Sequence, residues 1–179
     1  MSHNSPLRKA FLSRSYNFAT YQYMIHFPNP TYQHWNSFAT MSTSTISSTG
    51  GSIFFFREFE EPYGFMSQWY PCSFTAPAPP SAGKNAPQMT FLTTEQYMMY
   101  QKAIVFKDDE IANKIILEPN PRKQKGLGRK VKGFDPKKWD KEKQKVVEDG
   151  NWWKLTQPKE GNMRKMLLGT GHRELVEVS

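Results

Sequence analysis

The stretch Thr93–Phe106, TTEQYMMYQKAIVF, places the tightest constraint on the fold of this chain. Thr93 and Gln96 stand in the S/T-x-x-E/Q relation of a capping box, where two side chains satisfy orphan amides at a helix start. Apolar and aromatic residues recur at Tyr97, Tyr100, Ile104 and Val105, with Gln101 in the same run, which is a helical period. Glu95 and Lys102 are seven residues apart, so they share one helix face about 10 Å from each other. Met98 and Met99 lie between them. A carboxylate and an amine on a largely apolar helix either solvate at its edge or face a pocket that needs both. In the plainer reading Glu95 is a first-turn acid favoured by the helix dipole and Lys102 is a solvated lysine. In the functional reading Glu95 does acid–base work, and partial burial lowers the pKa of Lys102 until it is nucleophilic. Periodicity by itself favours the plainer reading for both.

A chain of 179 residues holds one domain of ordinary size, and 13 Phe, 8 Tyr and 5 Trp supply a core. No run approaches the ~20 apolar residues of a membrane span. The single cysteine, Cys72, excludes an intrachain disulfide framework and fits a reducing compartment. The net charge of +8 is local: Arg122–Lys145 carries 11 Lys and Arg against the three acids Asp135, Asp140 and Glu142, and the rest of the chain cancels.

Residues 1–52 contain no Asp or Glu and begin with Arg8, Lys9 and Arg14. They read as a disordered extension, with a mitochondrial presequence as the second reading. Met41 would serve as an alternative start, leaving residues 1–40 upstream. Order is expected from Ile53, where SIFFFREFE has the aromatic density of a strand with Phe55, Arg57 and Phe59 on one face. A turn at Pro62-Tyr63-Gly64, a Pro- and Ala-rich loop over 76–88 and a short strand over 89–93 follow. Asp108 is placed to cap a second helix that turns Ile111, Ile115 and Ile116 inward and stops before Pro119. Residues 119–134 read as a basic, glycine-bearing loop. Asp135-Pro136 opens a further helix with Trp139, Lys143, Val146 and Val147 on one face and Gly150 as its end. NWWKLTQPKEG reads as an aromatic turn, NMRKMLLG as a short helix and ELVEVS as a strand.

Several chemistries find no support. His3, His26 and His34 lie in the polar tail, His172 stands alone and Cys72 has no CxxC partner, so no metal site is expected. No G-x-S-x-G elbow is present. GLGRKVKG has G-x-G-x4-G spacing without a clear preceding strand, which does not fit a nucleotide-binding glycine loop. The basic segment reads most simply as a solvated face. Its other readings are a phosphate grip on one nucleotide-like ligand, or a nucleic-acid contact with Phe134 and Trp139 stacking. Arg122, Lys125, Arg129 and Lys130, with no acid near them in sequence, are the better anion contacts.

The order and spacing of SIFFFREFEEPYGFMSQWYPCSFT, TTEQYMMYQKA, GLGRKVKGF…WDKEKQKVV and NMRKMLLGTGHRELVEVS resemble the NADAR (YbiA-like) family over residues 53–179. The most specific piece is [ST]-E-x-Y-x-x-x-Q-K, here Thr94, Glu95, Tyr97, Gln101 and Lys102; Gly128-Arg129 and Trp139 support it. The resemblance implies a compact α+β fold, mostly helical with a small β-sheet. It also implies N-glycosidase activity linked to NAD, ADP-ribose and riboflavin-intermediate metabolism, with no cofactor. The substrate would be a phosphorylated ribosyl or ADP-ribosyl compound, extending to ADP-ribosylated guanine in nucleic acid. In that frame Glu95 is the acid–base or transition-state carboxylate, and Lys102 is the amine near the anomeric carbon. Arg57 and Glu58 contact phosphate and ribose, Phe65 or Trp69 together with Trp139 stack on the base or wall the pocket, and Arg129 meets a phosphate. Tyr97 and Gln101 complete the substrate-binding set.

One departure stands out. The family continues past the V-E strand into a D-x-x-W-G-x-G stretch and a closing helix, whereas this sequence stops at Val178-Ser179. The expectation is a shortened domain with impaired activity. The alternatives are a non-catalytic ADP-ribose or nucleotide-binding module and a nucleic-acid binder working through 122–145. No membrane association is expected, and the expected setting is cytoplasmic, with a nuclear variant, or mitochondrial if residues 1–40 act as a presequence.

Overall fold

The structure is a computed structural model, and it describes residues 51–77, 87–157, 162–171 and 173–178. The expectations for residues 1–50, and for most of the Pro- and Ala-rich loop, fall outside these residues. In chain order the elements are β1 (Ile53–Phe55), a single 3-10 turn (Gly64–Met66), β2 (Phe74–Pro77) and β3 (Gln88–Phe91). The helices α1 (Thr94–Val105), α2 (Asp109–Leu117), α3 (Pro121–Gly128), α4 (Pro136–Thr156) and α5 (Asn162–Gly169) follow, then β4 (Leu175–Glu177). This is an α+β fold, mostly helical among the described residues, with two small two-stranded sheets.

Helix α1 is central. Every residue from Thr94 to Ala103 is buried, because α2, α3 and α4 cover it on different sides. Its start is the capping box expected, with one change. Thr93 Oγ1 accepts from Gln96 N at 3.0 Å, but Gln96 Oε1 returns to Leu92 N at 2.7 Å, one residue earlier than the usual partner. Gln96 Nε2 meanwhile donates to the carbonyls of Ile115, Ile116 and Glu118, closing the C-terminal end of α2. Thr93 Oγ1 also reaches Gln124 Oε1 at 3.2 Å, and Gln124 Nε2 donates to Glu118 O at 2.6 Å, which ties α3 to the start of α1.

Asp108 caps α2 through Ile111 N, and its second oxygen accepts from Lys132 N at 2.8 Å. Three expectations are corrected. The first strand stops at Phe55, and Arg57 and Phe59 lie in the turn that follows; Gly64 packs against the carbonyls of Arg57 and Glu58, leaving no room for a Cβ. Residues 121–128 are a helix, because Asn120 caps Lys123 N and Pro121 takes the first helical position. Gly150 does not end α4, which continues to Thr156 and absorbs the predicted aromatic turn. Its missing side chain serves packing: a Cβ there would lie 2.9 Å from Tyr97 Cδ1.

The core has two parts. Phe74, Phe91, Tyr97 and Tyr100 pack as tilted and edge-on rings with Trp139, Val146 and Val147 beneath α1. Ile53, Phe55, Phe65, Met66, Leu155, Leu167 and Leu175 form the second cluster. β1 and β4 pair in parallel with Phe55 opposite Glu177, which brings the last strand beside the first. Segment 64–70 gives Phe65 and Met66 to the second cluster, and its residues 67–69 meet α1 and α4.

Candidate active site

Burial of α1 decides the ambiguity of its two charged residues. Glu95 is 3% exposed and Lys102 7%, so neither solvates at a helix edge. Glu95 N donates to Gln68 O at 3.0 Å, and Thr94 Oγ1 donates to the same oxygen at 3.0 Å. Trp69 Nε1 donates to Glu95 Oε2 at 3.3 Å. Segment 67–69 is held in turn by α4: Lys154 Nζ donates to Ser67 O at 2.7 Å and Gln68 Nε2 to Asn151 Oδ1 at 3.2 Å.

The electrostatics follow from this enclosure. Burial pushes the Glu95 carboxyl above its ordinary value, while Lys125, the Trp69 bond, Arg129 and Lys102 pull it back. Burial lowers Lys102, Arg129 lowers it further, and Glu95 opposes both. Lys102 Nζ sits over the Phe134 ring at 4.0 Å from its centroid and 5.9 Å from that of Trp139. These ring faces favour the ammonium form and so oppose the lowering by burial.

Of the residues expected from sequence, Glu95, Lys102, Trp69 and Arg129 come together as one electrostatic unit. Tyr97 and Gln101 are buried on the same helix, with burial raising the Tyr97 phenol. Trp139 is 2% exposed and lies behind Lys102, while Phe134, 37% exposed, packs edge-on against Phe106 at 5.3 Å. Gly133, with φ +66°, makes the turn that sets Phe134 there. Phe65 is buried in the second core cluster and borders a separate half-open cavity of about 890 Å³. That cavity is also lined by Tyr70, Cys72, Met163 and Met166, and none of the charged residues above faces it. Arg57 is exposed, stacked on Phe56 at 4.8 Å and Phe59 at 5.8 Å, and Glu58 is half-buried nearby; no hydrogen bond or ion pair joins either to Glu95 among the described residues.

Two participants, Glu177 and Lys154, were not singled out from sequence, and a third, Lys125, was read there only as an anion contact. Glu177, at the end of β4, is pushed up to about 7 by burial and by the charge of Glu95, against Lys125 and Lys154. The charge of Lys125, on α3, lowers both the Glu95 and the Glu177 carboxyl. Lys154 is buried and lowered to about 7. Only Lys125 carried a sequence signal, its acid-free neighbourhood; the other two depend on strand and helix packing. Among the described residues no group of His, Cys, Asp and Glu could hold a metal ion, and no helix is long and apolar enough to cross a membrane.

The chain is thus a mostly helical α+β fold with a carboxylate and an amine buried on one helix and exposed basic residues at Arg129 and Lys130. Residues 54–179 match the model of the NADAR domain, and the chain belongs to the NADAR family. It is 37% identical over 115 residues to an N-glycosidase of Acanthamoeba polyphaga mimivirus, covering 64% of this chain and 63% of that protein. It is 32% identical over 120 residues to protein irg-1 of Caenorhabditis elegans, covering 64% of this chain and 56% of the relative. The chain thus spans less than two thirds of the length of either relative. The solved structure of the E. coli protein YbiA has a similar fold, with TM-score 0.56 and 23% identity over 73% of this chain and 68% of that one.

Proposed function

We propose that this protein is an N-glycosidase that hydrolyses a ribosyl–nitrogen bond in a ribose-phosphate or ADP-ribose conjugate. The observation that carries this reading is Glu95, a carboxylate 3% exposed and held by Trp69 on the same buried helix as the amine of Lys102. The likeness to a named N-glycosidase supports the reaction type.

Breaking the bond sends its electron pair to the leaving nitrogen and leaves positive charge on the sugar. Glu95 stabilises that charge at short range in a site with little water. The leaving nitrogen needs a proton. Glu177, raised to about 7 by burial and by the neighbouring Glu95 charge, holds one near neutral pH. Water then adds to the anomeric carbon and its surplus proton restores the acid. In the covalent variant the Lys102 amine attacks the anomeric carbon of the opened sugar and expels the base. The resulting imine is hydrolysed by water, which regenerates the amine. The amine is suited to that role by its depressed pKa. Arg129 and Lys130 are exposed, and Lys125 and Arg129 are charges felt by Glu95; together they favour a substrate that carries phosphate.

The test is incubation of the purified chain with a panel of ribosylated compounds, with mass spectrometry for the released base and sugar phosphate. Release of both from one panel member is the expected result. Intact substrates throughout, with tight ADP-ribose binding, would instead leave a binding module.

A further inference from the structure

Building on the N-glycosidase reading, we propose that Gln68 is a specificity residue: its side-chain oxygen accepts a hydrogen bond from the 2-hydroxyl of a ribofuranose and Glu95 Oε1 accepts one from the neighbouring hydroxyl, so the site prefers ribosyl to 2-deoxyribosyl ligands.

Gln68 is 5% exposed, and its polar atoms can be accounted for one by one. Its backbone oxygen accepts from Glu95 N and Thr94 Oγ1. Its Nε2 donates to Asn151 Oδ1 on α4. That leaves Oε1, which makes no hydrogen bond to the described residues. Glu95 is in the same condition: Oε2 takes the Trp69 indole, and Oε1 has no partner there. Buried acceptors without donors are costly and uncommon in native proteins. Two of them belong here to residues joined by a main-chain hydrogen bond, Glu95 N to Gln68 O.

Two open acceptors call for a ligand bearing two donors. A phosphate has only acceptors near neutral pH and is suited instead to Arg129 and Lys125. An ether or a carbonyl brings no donor. Adjacent hydroxyls on a sugar ring supply both, and in ribose they lie on one side of the ring, next to the anomeric carbon that Glu95 must serve. A site built to bond a hydroxyl discriminates strongly against an analogue that lacks it, because the buried acceptor is then left unpaired. The preference expected from one buried acceptor left unpaired is roughly 10- to 100-fold.

The experiment compares binding of ribose 5-phosphate and 2-deoxyribose 5-phosphate to the full chain by calorimetry. Wild type should prefer the ribose compound by that factor. Gln68→Met, close in shape but without the acceptor, should bring the two affinities within about threefold by weakening ribose 5-phosphate alone. Asn151→Ala loses the same buried bond while keeping the acceptor, and should retain the preference. Equal affinities in wild type, or binding of neither sugar, would overturn the proposal without any variant having to fold. A folded Gln68→Met protein that keeps the full preference would overturn it too. The glycosidase reading fails separately, when no panel compound is hydrolysed, and the sugar preference remains measurable in that event.

Discussion

The indole of Trp69 and the carboxylate of Glu95 meet at 3.3 Å, Nε1 donating to Oε2, across 26 positions of sequence. This bond ties the turn before β2 to the first turn of α1. It also favours the ionised form of a carboxylate that burial raises.

Loss of the carboxylate should therefore differ in kind from loss of its partner. Glu95→Gln should lower kcat/KM by roughly 10²- to 10⁴-fold at every pH, the range for a positioned acid–base group. Trp69→Phe should cost roughly 10-fold near neutrality by removing a hydrogen bond to a charged group. Without the indole the Glu95 pKa rises, so the increase in rate on its ionisation should move to higher pH. A pH–rate profile of Trp69→Phe that overlays wild type would show that the bond does not tune the carboxylate.

Lys102 is open to a direct chemical test. Borohydride added during turnover should reduce an imine and leave the chain heavier by one sugar phosphate, while Lys102→Ala should give no such adduct. Arg129 depresses Lys102, so Arg129→Gln should raise its pKa and lower the neutral fraction and the trapping yield at pH 7. Arg129 is exposed, and the effect should shrink as salt rises from about 0.01 to 0.5 M. An active enzyme that never traps would assign hydrolysis to water alone.

Local chemistry was legible in the sequence where a few adjacent residues decide the outcome. The caps at Thr93, Asp108 and Asp135 all hold, since each needs only its own side chain and an amide two or three residues on. The overall α+β class and the family were also readable. Burial was less so. The run from Thr94 to Ala103 has enough polar residues to suggest an amphipathic helix, yet three helices enclose it, and only that packing puts Glu95 and Lys102 inside. Gly150 looked like a helix end because a glycine's usual signal is local, whereas its reason is the Tyr97 ring across the core. Glu177 was hidden for the same cause: its neighbours come from α1, α3 and α4, far from it in sequence.

Gln96 is expected to be a large single contributor to stability. It accepts from Leu92 N and donates toward three carbonyls at the end of α2, all in or near the core. Gln96→Ala leaves buried backbone groups unpaired, at about 2–4 kcal/mol. A urea titration should show the midpoint falling with an unchanged slope. A loss under 0.5 kcal/mol would mean that these groups find other partners.

Gly150→Ala should also destabilise, despite alanine's better helix propensity. The added methyl meets the Tyr97 ring at 2.9 Å, and a ring wedged between Phe91 and Phe74 has little room to yield. Overpacking of this sort costs about 1–3 kcal/mol. Thermal unfolding is the measurement, and a higher midpoint than wild type would mean that the ring moves aside.

Glu177 and Lys154 make opposite contributions to the dependence of stability on pH. Glu177 rises on folding from 4.5 to about 7, so between those values the folded state holds more protons than the unfolded one. Stability from this group is complete at low pH and is lost as pH rises toward 7. Glu95, also raised, acts in the same direction. Lys154 falls on folding from 10.5 to about 7, so above 7 it is the unfolded state that holds more protons, and stability climbs toward pH 10.5. Lys102, also lowered, adds to that climb. Glu110, lowered to about 2 by Lys114 and Lys132, acts only at more acid pH. The unfolding free energy should thus fall from pH 5 to 7 and recover from 7 to 10. Glu177→Gln should flatten the first limb and Lys154→Met the second, whatever each does to the absolute value. A stability curve with a maximum at pH 7 would contradict both assignments.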